Sequence, residues 1–74
     1  MITIYSTLTC AQCLLVEKLM KVKKQEYVKI YIDDDLEQRE RLFKITGYMK
    51  VPITTDGETY IVGYNPSQLF KIMS

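Results

Sequence analysis

Histidine and tryptophan are absent from the 74 residues, and cysteine, proline and glycine are scarce, at two, two and three. Zinc and iron–sulfur sites generally need four ligands. Two cysteines without histidine therefore leave such a site half-filled, unless a second copy of the chain completes it across a dimer. Neither sign of charge dominates: ten Lys and Arg against nine Asp and Glu leave +1. That balance gives no electrostatic case for nucleic acid or a membrane surface. No apolar stretch approaches the roughly 20 residues of a membrane span. The first residues also lack the basic and apolar regions of a signal peptide, so a cytoplasmic location is the expectation. Repeats, linkers and low-complexity segments are missing too, and the length allows one core, so a single domain over residues 1–74 is expected. At 47% hydrophobic residues the chain can build that core by packing alone.

The two cysteines stand three positions apart in Cys10-Ala11-Gln12-Cys13, after a short apolar run and at the start of a helical pattern. Helical residues at i and i+3 have Cβ atoms about 5–6 Å apart, and a disulfide needs them at about 3.5–4.5 Å. A small local adjustment therefore separates dithiol from disulfide. A ring this short constrains the unfolded chain little, because that effect grows with loop length. In a reducing compartment such a pair is catalytic or metal-binding rather than structural.

Ile2 and Ile4 alternate with Thr3 and Tyr5, the period of a strand. Thr9 offers a helix N-cap and Gln12 completes a capping box. The helix is expected to reach Lys21–Lys24, with Leu15, Leu19 and Val22 on its inner face and the lysines complementing its dipole. Tyr27 to Ile32 reads as a second strand, apolar on nearly both faces and so central or covered on both sides. In Asp33-Asp34-Asp35, Asp34 or Asp35 caps a second helix with Glu37 or Gln38 reaching back; a carboxylate metal site there would lack companion ligands. That helix runs to about Thr46, with Gly47 as its stop. Val51–Thr55 and Glu58–Val62 read as strands joined by a two-residue Asp56-Gly57 hairpin turn. Asn65 caps a last helix, Pro66 fits its first position, and Leu69, Phe70 and Met73 make its apolar stripe. The order β-α-β-α-β-β-α gives an α/β fold: one mixed four-stranded sheet, with a parallel pair joined by a right-handed crossover, flanked by helices on both faces.

The thiolate is the reactive form of cysteine. Cys10 falls at the first turn of the first helix, where unpaired N–H groups and the dipole favour an anion, and Cys13 lies a turn further in. Cys10 is therefore expected to attack a substrate disulfide, and Cys13 to resolve the mixed disulfide by attacking the Cys10 sulfur. No metal and no cofactor is required.

A Cys-x-x-Cys after the first strand, inside βαβ followed by ββα, resembles the thioredoxin superfamily in its smallest, glutaredoxin-like form, over essentially the whole chain. Val51-Pro52 stands where that superfamily carries a cis-proline facing the cysteines. The resemblance implies that the Val51 backbone receives a substrate chain as an added strand; otherwise Pro52 simply begins an edge strand. Gly63-Tyr64-Asn65-Pro66 resembles the glycine–aromatic–x–proline segment of the NrdH-type redoxins, and Gln12 before Cys13 is more similar to their motif than to Cys-Pro-Tyr-Cys. Without that resemblance, Tyr64 is a half-buried aromatic near a helix start. The resemblance implies a thiol–disulfide oxidoreductase that takes electrons from thioredoxin reductase and delivers them to ribonucleotide reductase, acting as a monomer. Thr9, Gln12, Val51, Pro52, Gly63 and Tyr64 would form the substrate-binding surface around Cys10 and Cys13. A glutathione-coupled glutaredoxin is the alternative donor class, and a metal-bridged dimer the alternative of another kind. Glutathione users carry acidic residues after their glycine pair, whereas Gly63 is followed by Tyr64 and Asn65. Many relatives also place lysine and proline shortly before the first cysteine, where this chain has Thr7 and Leu8.

Overall fold

The computed structural model describes residues 1–73. Its elements are β1 (Ile2–Ser6), α1 (Ala11–Val22), β2 (Tyr27–Tyr31), α2 (Leu36–Thr46), β3 (Ile53–Thr55), β4 (Tyr60–Val62) and α3 (Pro66–Ile72). The strands form one sheet in the order β2-β1-β3-β4. β1 and β2 are parallel from Ile2–Tyr27 to Ser6–Tyr31, while β3 is antiparallel to both β1 and β4. The parallel pair is joined through α1, as antiparallel neighbours need only a turn but parallel ones need a crossover.

Side chains alternate across a sheet, and here both faces are covered. Ile2 and Ile4 of β1 and Ile61 of β4 pack with Val16 and Met20 of α1 and Leu69 of α3. On the opposite face Tyr5, Ile32 and Ile53 pack with Leu42 of α2. The thin sheet is thus wedged between α1 with α3 on one side and α2 on the other.

Four sequence expectations change. β2 is an edge strand, neither central nor covered on both sides: Val28 and Tyr31, on its opposite faces, are 44% and 49% exposed. Its tyrosines account for the misreading: they count as apolar, yet Tyr31 is largely exposed and the Tyr27 hydroxyl donates to Glu17 Oε1 at 3.0 Å. The buried stripe of α1 is Cys13, Val16 and Met20. Leu15 and Val22 stay 45% and 67% exposed, and only Leu19 of the expected set packs against the core. In α3, Leu69 is buried and Met73 packs on the core, but Phe70 faces outward, with Lys23 Nζ 5.2 Å from its ring centre. Finally, the hairpin closes at Thr55–Tyr60, so its loop has four residues, not two. The Asp56 carboxylate accepts the Glu58 and Thr59 N–H groups at 2.9 and 2.8 Å, and this internal bonding selects the wider turn. Those two bonds also hold the Asp56 carboxyl below its ordinary pKa.

Apart from the start of α1, the helix ends follow their chemistry. Asp35 Oδ1 accepts the Gln38 N–H at 3.0 Å, and Gly47 ends α2 with φ 78°, a left-handed value that favours glycine. Asn65 Oδ1 accepts the Gln68 N–H at 3.3 Å, with Pro66 in the first turn of α3. α1 stops at Val22, with Lys23 as its C-cap.

Candidate active site

β1 delivers the chain through residues 7–9 to Cys10, and Cys10 itself is the N-cap of α1. Its Sγ accepts the Cys13 N–H at 3.1 Å. Thr9, expected as the cap, sits instead in an exposed turn one residue earlier. The reason is geometric. A cap side chain reaches the N–H three residues on, and the Cys10 sulfur, tethered to Cys13, does so at the Cys13 N–H, which sets the helix start one residue after Cys10 rather than after Thr9.

Cys10 and Cys13 are joined as a disulfide, with Cα atoms 5.3 Å apart. Cys13 belongs to the buried stripe of α1 and is 1% exposed, whereas Cys10 is half-buried. The two sulfurs thus differ in access: a partner arriving from solvent meets Cys10 first. The first-turn N–H groups and the helix dipole favour negative charge at that position.

The loop before Cys10 is anchored by a residue that sequence reasoning assigned elsewhere. The Leu8 N–H donates to both carboxylate oxygens of Asp33, each at 3.2 Å. The aspartate run was read for capping or metal; only its last member caps, while its first reaches from the end of β2 to the cysteine loop. Its position directly after a strand parallel to β1 is the signal that could have revealed it, since parallel strands end side by side.

The Val51–Pro52 peptide bond is cis, as the resemblance implied. Pro52 is buried, and its carbonyl accepts the Gly63 N–H at 2.8 Å, which binds the entry of β3 to the exit of β4. Gly63 has φ 80°, and a Cβ there would stand 3.6 Å from Gln12 Oε1. Gln12 and Gly63 also line one groove of about 750 Å³ with Thr46, Tyr48, Lys50 and Gln68. Of the six predicted surface residues, Gln12, Pro52 and Gly63 therefore come together. Val51 lines a smaller recess on the α2 side, with Thr7 and Leu42. Tyr64 lines a separate shallow recess with Leu15, Lys18 and Leu19 of α1. Lys50, on the groove wall, was missed by the sequence reading.

One charged cluster lies deeper along α1. Glu17 Oε2 accepts from Lys29 Nζ at 2.8 Å, and its other oxygen from Tyr27. Burial raises the Glu17 pKa, but the bonds from Lys29 and Tyr27 and the charges of Lys29 and Lys21 together outweigh it, and the carboxyl sits below its ordinary value. The bond to Glu17, then that to Tyr31, pushes Lys29 up.

A family model described as Glutaredoxin matches residues 2–60. The glutaredoxin-like 8.6 kDa protein of the rubredoxin operon in Clostridium pasteurianum is 32% identical over 73 residues, 99% of this chain and 97% of its own length. The glutaredoxin-like protein NrdH of Lactococcus lactis subsp. cremoris is 31% identical over 72 residues, 97% of this chain and 99% of that one. Among solved structures, the NrdH-redoxin from Escherichia coli superposes with a TM-score of 0.83 at 26% identity, covering 95% of this chain and 91% of that one. The glutaredoxin from Archaeoglobus fulgidus has a TM-score of 0.84 at 24% identity, covering 96% of this chain and 83% of that one. The latter likeness speaks to fold.

Proposed function

This chain belongs to the glutaredoxin family of thiol–disulfide oxidoreductases, and we propose that it works there as an NrdH-type dithiol carrier. The observation that carries this reading is the unequal access of the two sulfurs, Cys10 half-buried on the helix cap and Cys13 enclosed one turn behind. Cys10, as thiolate, attacks a substrate disulfide. One substrate sulfur leaves with the electron pair and takes up a proton, and Cys10 stays joined to the other. Cys13 then attacks Cys10 Sγ, which releases the second substrate thiol and leaves the Cys10–Cys13 disulfide. Two electrons have passed to the substrate, and an external reductant must restore the dithiol.

Gln12, Val51, Pro52 and Gly63 are the surface we assign to the incoming chain, with Thr9 and Tyr64 at its margin. Ribonucleotide reductase is the proposed protein substrate and thioredoxin reductase the proposed donor. The NrdH name of relatives spanning nearly the whole chain supports both assignments. So does the Gly63-Tyr64-Asn65 sequence, which supplies no carboxylate for the amino end of glutathione. The protein would act in the cytoplasm as a monomer and one domain; no helix among the described residues is long and apolar enough to cross a membrane.

Two experiments test this. Cys10→Ser should abolish insulin disulfide reduction, while Cys13→Ser should accumulate a mixed disulfide with substrate. Wild-type activity in Cys10→Ser overturns the assignment of roles. Turnover with NADPH and thioredoxin reductase should exceed turnover with glutathione and its reductase; the reverse order makes the protein a glutathione-coupled glutaredoxin.

A further inference from the structure

Leu15, Leu19 and Val22 recur at i, i+4 and i+7 along α1, the spacing of a helix-packing seam. The core does not absorb them. It takes Cys13, Val16 and Met20, and leaves Leu15 and Val22 exposed and Leu19 half-buried. α1 thus carries a second apolar stripe that the fold does not use. Tyr64 stands beside it, and Leu15, Lys18, Leu19, Val22 and Tyr64 line a recess of about 290 Å³. Next to Val22, Lys23 reaches over the exposed ring of Phe70 on α3, with Nζ 5.2 Å from its centre. Single exposed leucines are ordinary, but an unbroken apolar line on a surface marks a contact site.

The charges around the stripe are of one sign. At about 100° per helical residue, Lys18 and Lys21 fall to one side of it and Lys23 to the other. Lys24 follows α1, and Lys71 lies in the last turn of α3. These are five of the ten cations in the chain. α1 and α3 hold one carboxylate between them, Glu17, and Lys29 and Tyr27 already bond it. The helix dipole accounts for the lysines that end α1, but not for Lys18 in its middle. A second copy is a poor occupant, because two such faces paired by symmetry set lysine against lysine.

The stripe also begins at the redox site. Leu15 lies about 7.5 Å along the helix from Cys10, and Tyr64 follows Gly63, whose Cβ position adjoins Gln12.

We infer that this stripe seats an acidic amphipathic helix of the protein whose disulfide Cys10 reduces. Apolar side chains of that helix enter the recess beside Tyr64, and its carboxylates meet Lys18, Lys21 and Lys23. The inference rests on Cys10 being the attacking sulfur, and adds the chemistry of the substrate protein. Exposed ion pairs each contribute little, so the apolar contact gives the binding and the lysines select the sign.

The probe is a synthetic helix of about four turns, with leucine at i, i+4 and i+7, glutamate on both flanks and a Cys-x-x-Cys disulfide at one end. A control peptide has lysine for every glutamate. Added to the isotope-labelled oxidised protein, the glutamate peptide should shift the amide signals of Leu15, Lys18, Leu19, Val22 and Tyr64. It should bind about tenfold more tightly than the control, and salt of about 1 M, where the screening length falls to about 3 Å, should erase that difference. Lys18→Glu combined with Lys21→Glu should invert the preference, and Val22→Asp should weaken both peptides. Equal affinity for the two peptides, signals that shift only elsewhere, or a preference for phosphatidylglycerol vesicles when both are present overturns the inference. Single-turnover reduction by the dithiol form separates it from the carrier reading. Reduction of cystine but not of the peptide disulfide overturns the placement of the substrate helix, whereas reduction of neither overturns the carrier reading and leaves the seat for the helix intact.

Discussion

Asp33 holds the loop that presents Cys10, through both of its carboxylate oxygens on the Leu8 N–H. Asp33→Ala frees that N–H to solvent, and the expected loss of stability is about 1 kcal/mol by urea unfolding, since the bond is exposed. Turnover should fall in Asp33→Ala and recover in Asp33→Asn, which keeps an acceptor; equal rates in the two variants would remove Asp33 from the site. Gly63 is the other constrained residue. Gly63→Ala puts a side chain at φ 80° and is expected to lower stability by about 1–2 kcal/mol, while its Cβ meets Gln12 only at ordinary contact distance. At this scale the sequence announced the cysteines, Pro52 and Gly63, because each has a spacing or a conformational property of its own. It hid Asp33, whose partner is 25 positions away in the chain. The cap assignment failed because Thr9 is the better capper by type, while the sulfur of Cys10 is fixed in place by its bond to Cys13.

For the elements, the cap positions were legible for α2 and α3, where Asp35 and Asn65 accept the expected N–H groups. Asp35→Ala should lower the unfolding free energy by about 1 kcal/mol, as for a typical N-cap. Legibility failed for the face of α1. Leu14 and Leu15 make an apolar pair in which neither residue belongs to the buried stripe, and only the sheet beneath decides that Cys13, Val16 and Met20 point inward. The contrast is measurable. Met20→Ala removes a fully buried side chain and should be destabilising by about 2–5 kcal/mol, whereas Leu15→Ala should change stability by less than about 1 kcal/mol. Comparable losses in the two variants would contradict the orientation of α1. The rank of β2 in the sheet escaped the sequence for a related reason: strand order depends on which neighbours form, and residue pattern reports only how much of each face is covered.

For the molecule as a whole, the Glu17–Lys29–Tyr27 cluster links stability to pH. The folded Glu17 pKa is lowered, so its contribution is complete above the unfolded value of about 4.3 and is lost as pH falls through the folded one. Lys29 and Tyr27 are raised, Tyr27 by burial and then by its bond to Glu17. Their contribution is complete below about pH 10 and is lost as pH rises through the folded values. Urea midpoints should thus hold level between roughly pH 5 and pH 9, and Glu17→Gln should flatten the fall on the acid side. If the acid limbs of the two proteins coincide, Glu17 does not couple to folding.

The same lysine has a bearing on how the molecules behave toward one another. Lys29 belongs to the strand at one border of the sheet yet turns toward α1, and the opposite border, β4, is only three residues long. A foreign strand docking beside Val28–Tyr31 would have to accommodate an inward ammonium, and one docking on β4 would find few groups to bond. Concentrated solutions are therefore expected to stay dispersed. Lys29→Val, which leaves an unbroken apolar border from Tyr27 to Tyr31, should raise light scattering on standing.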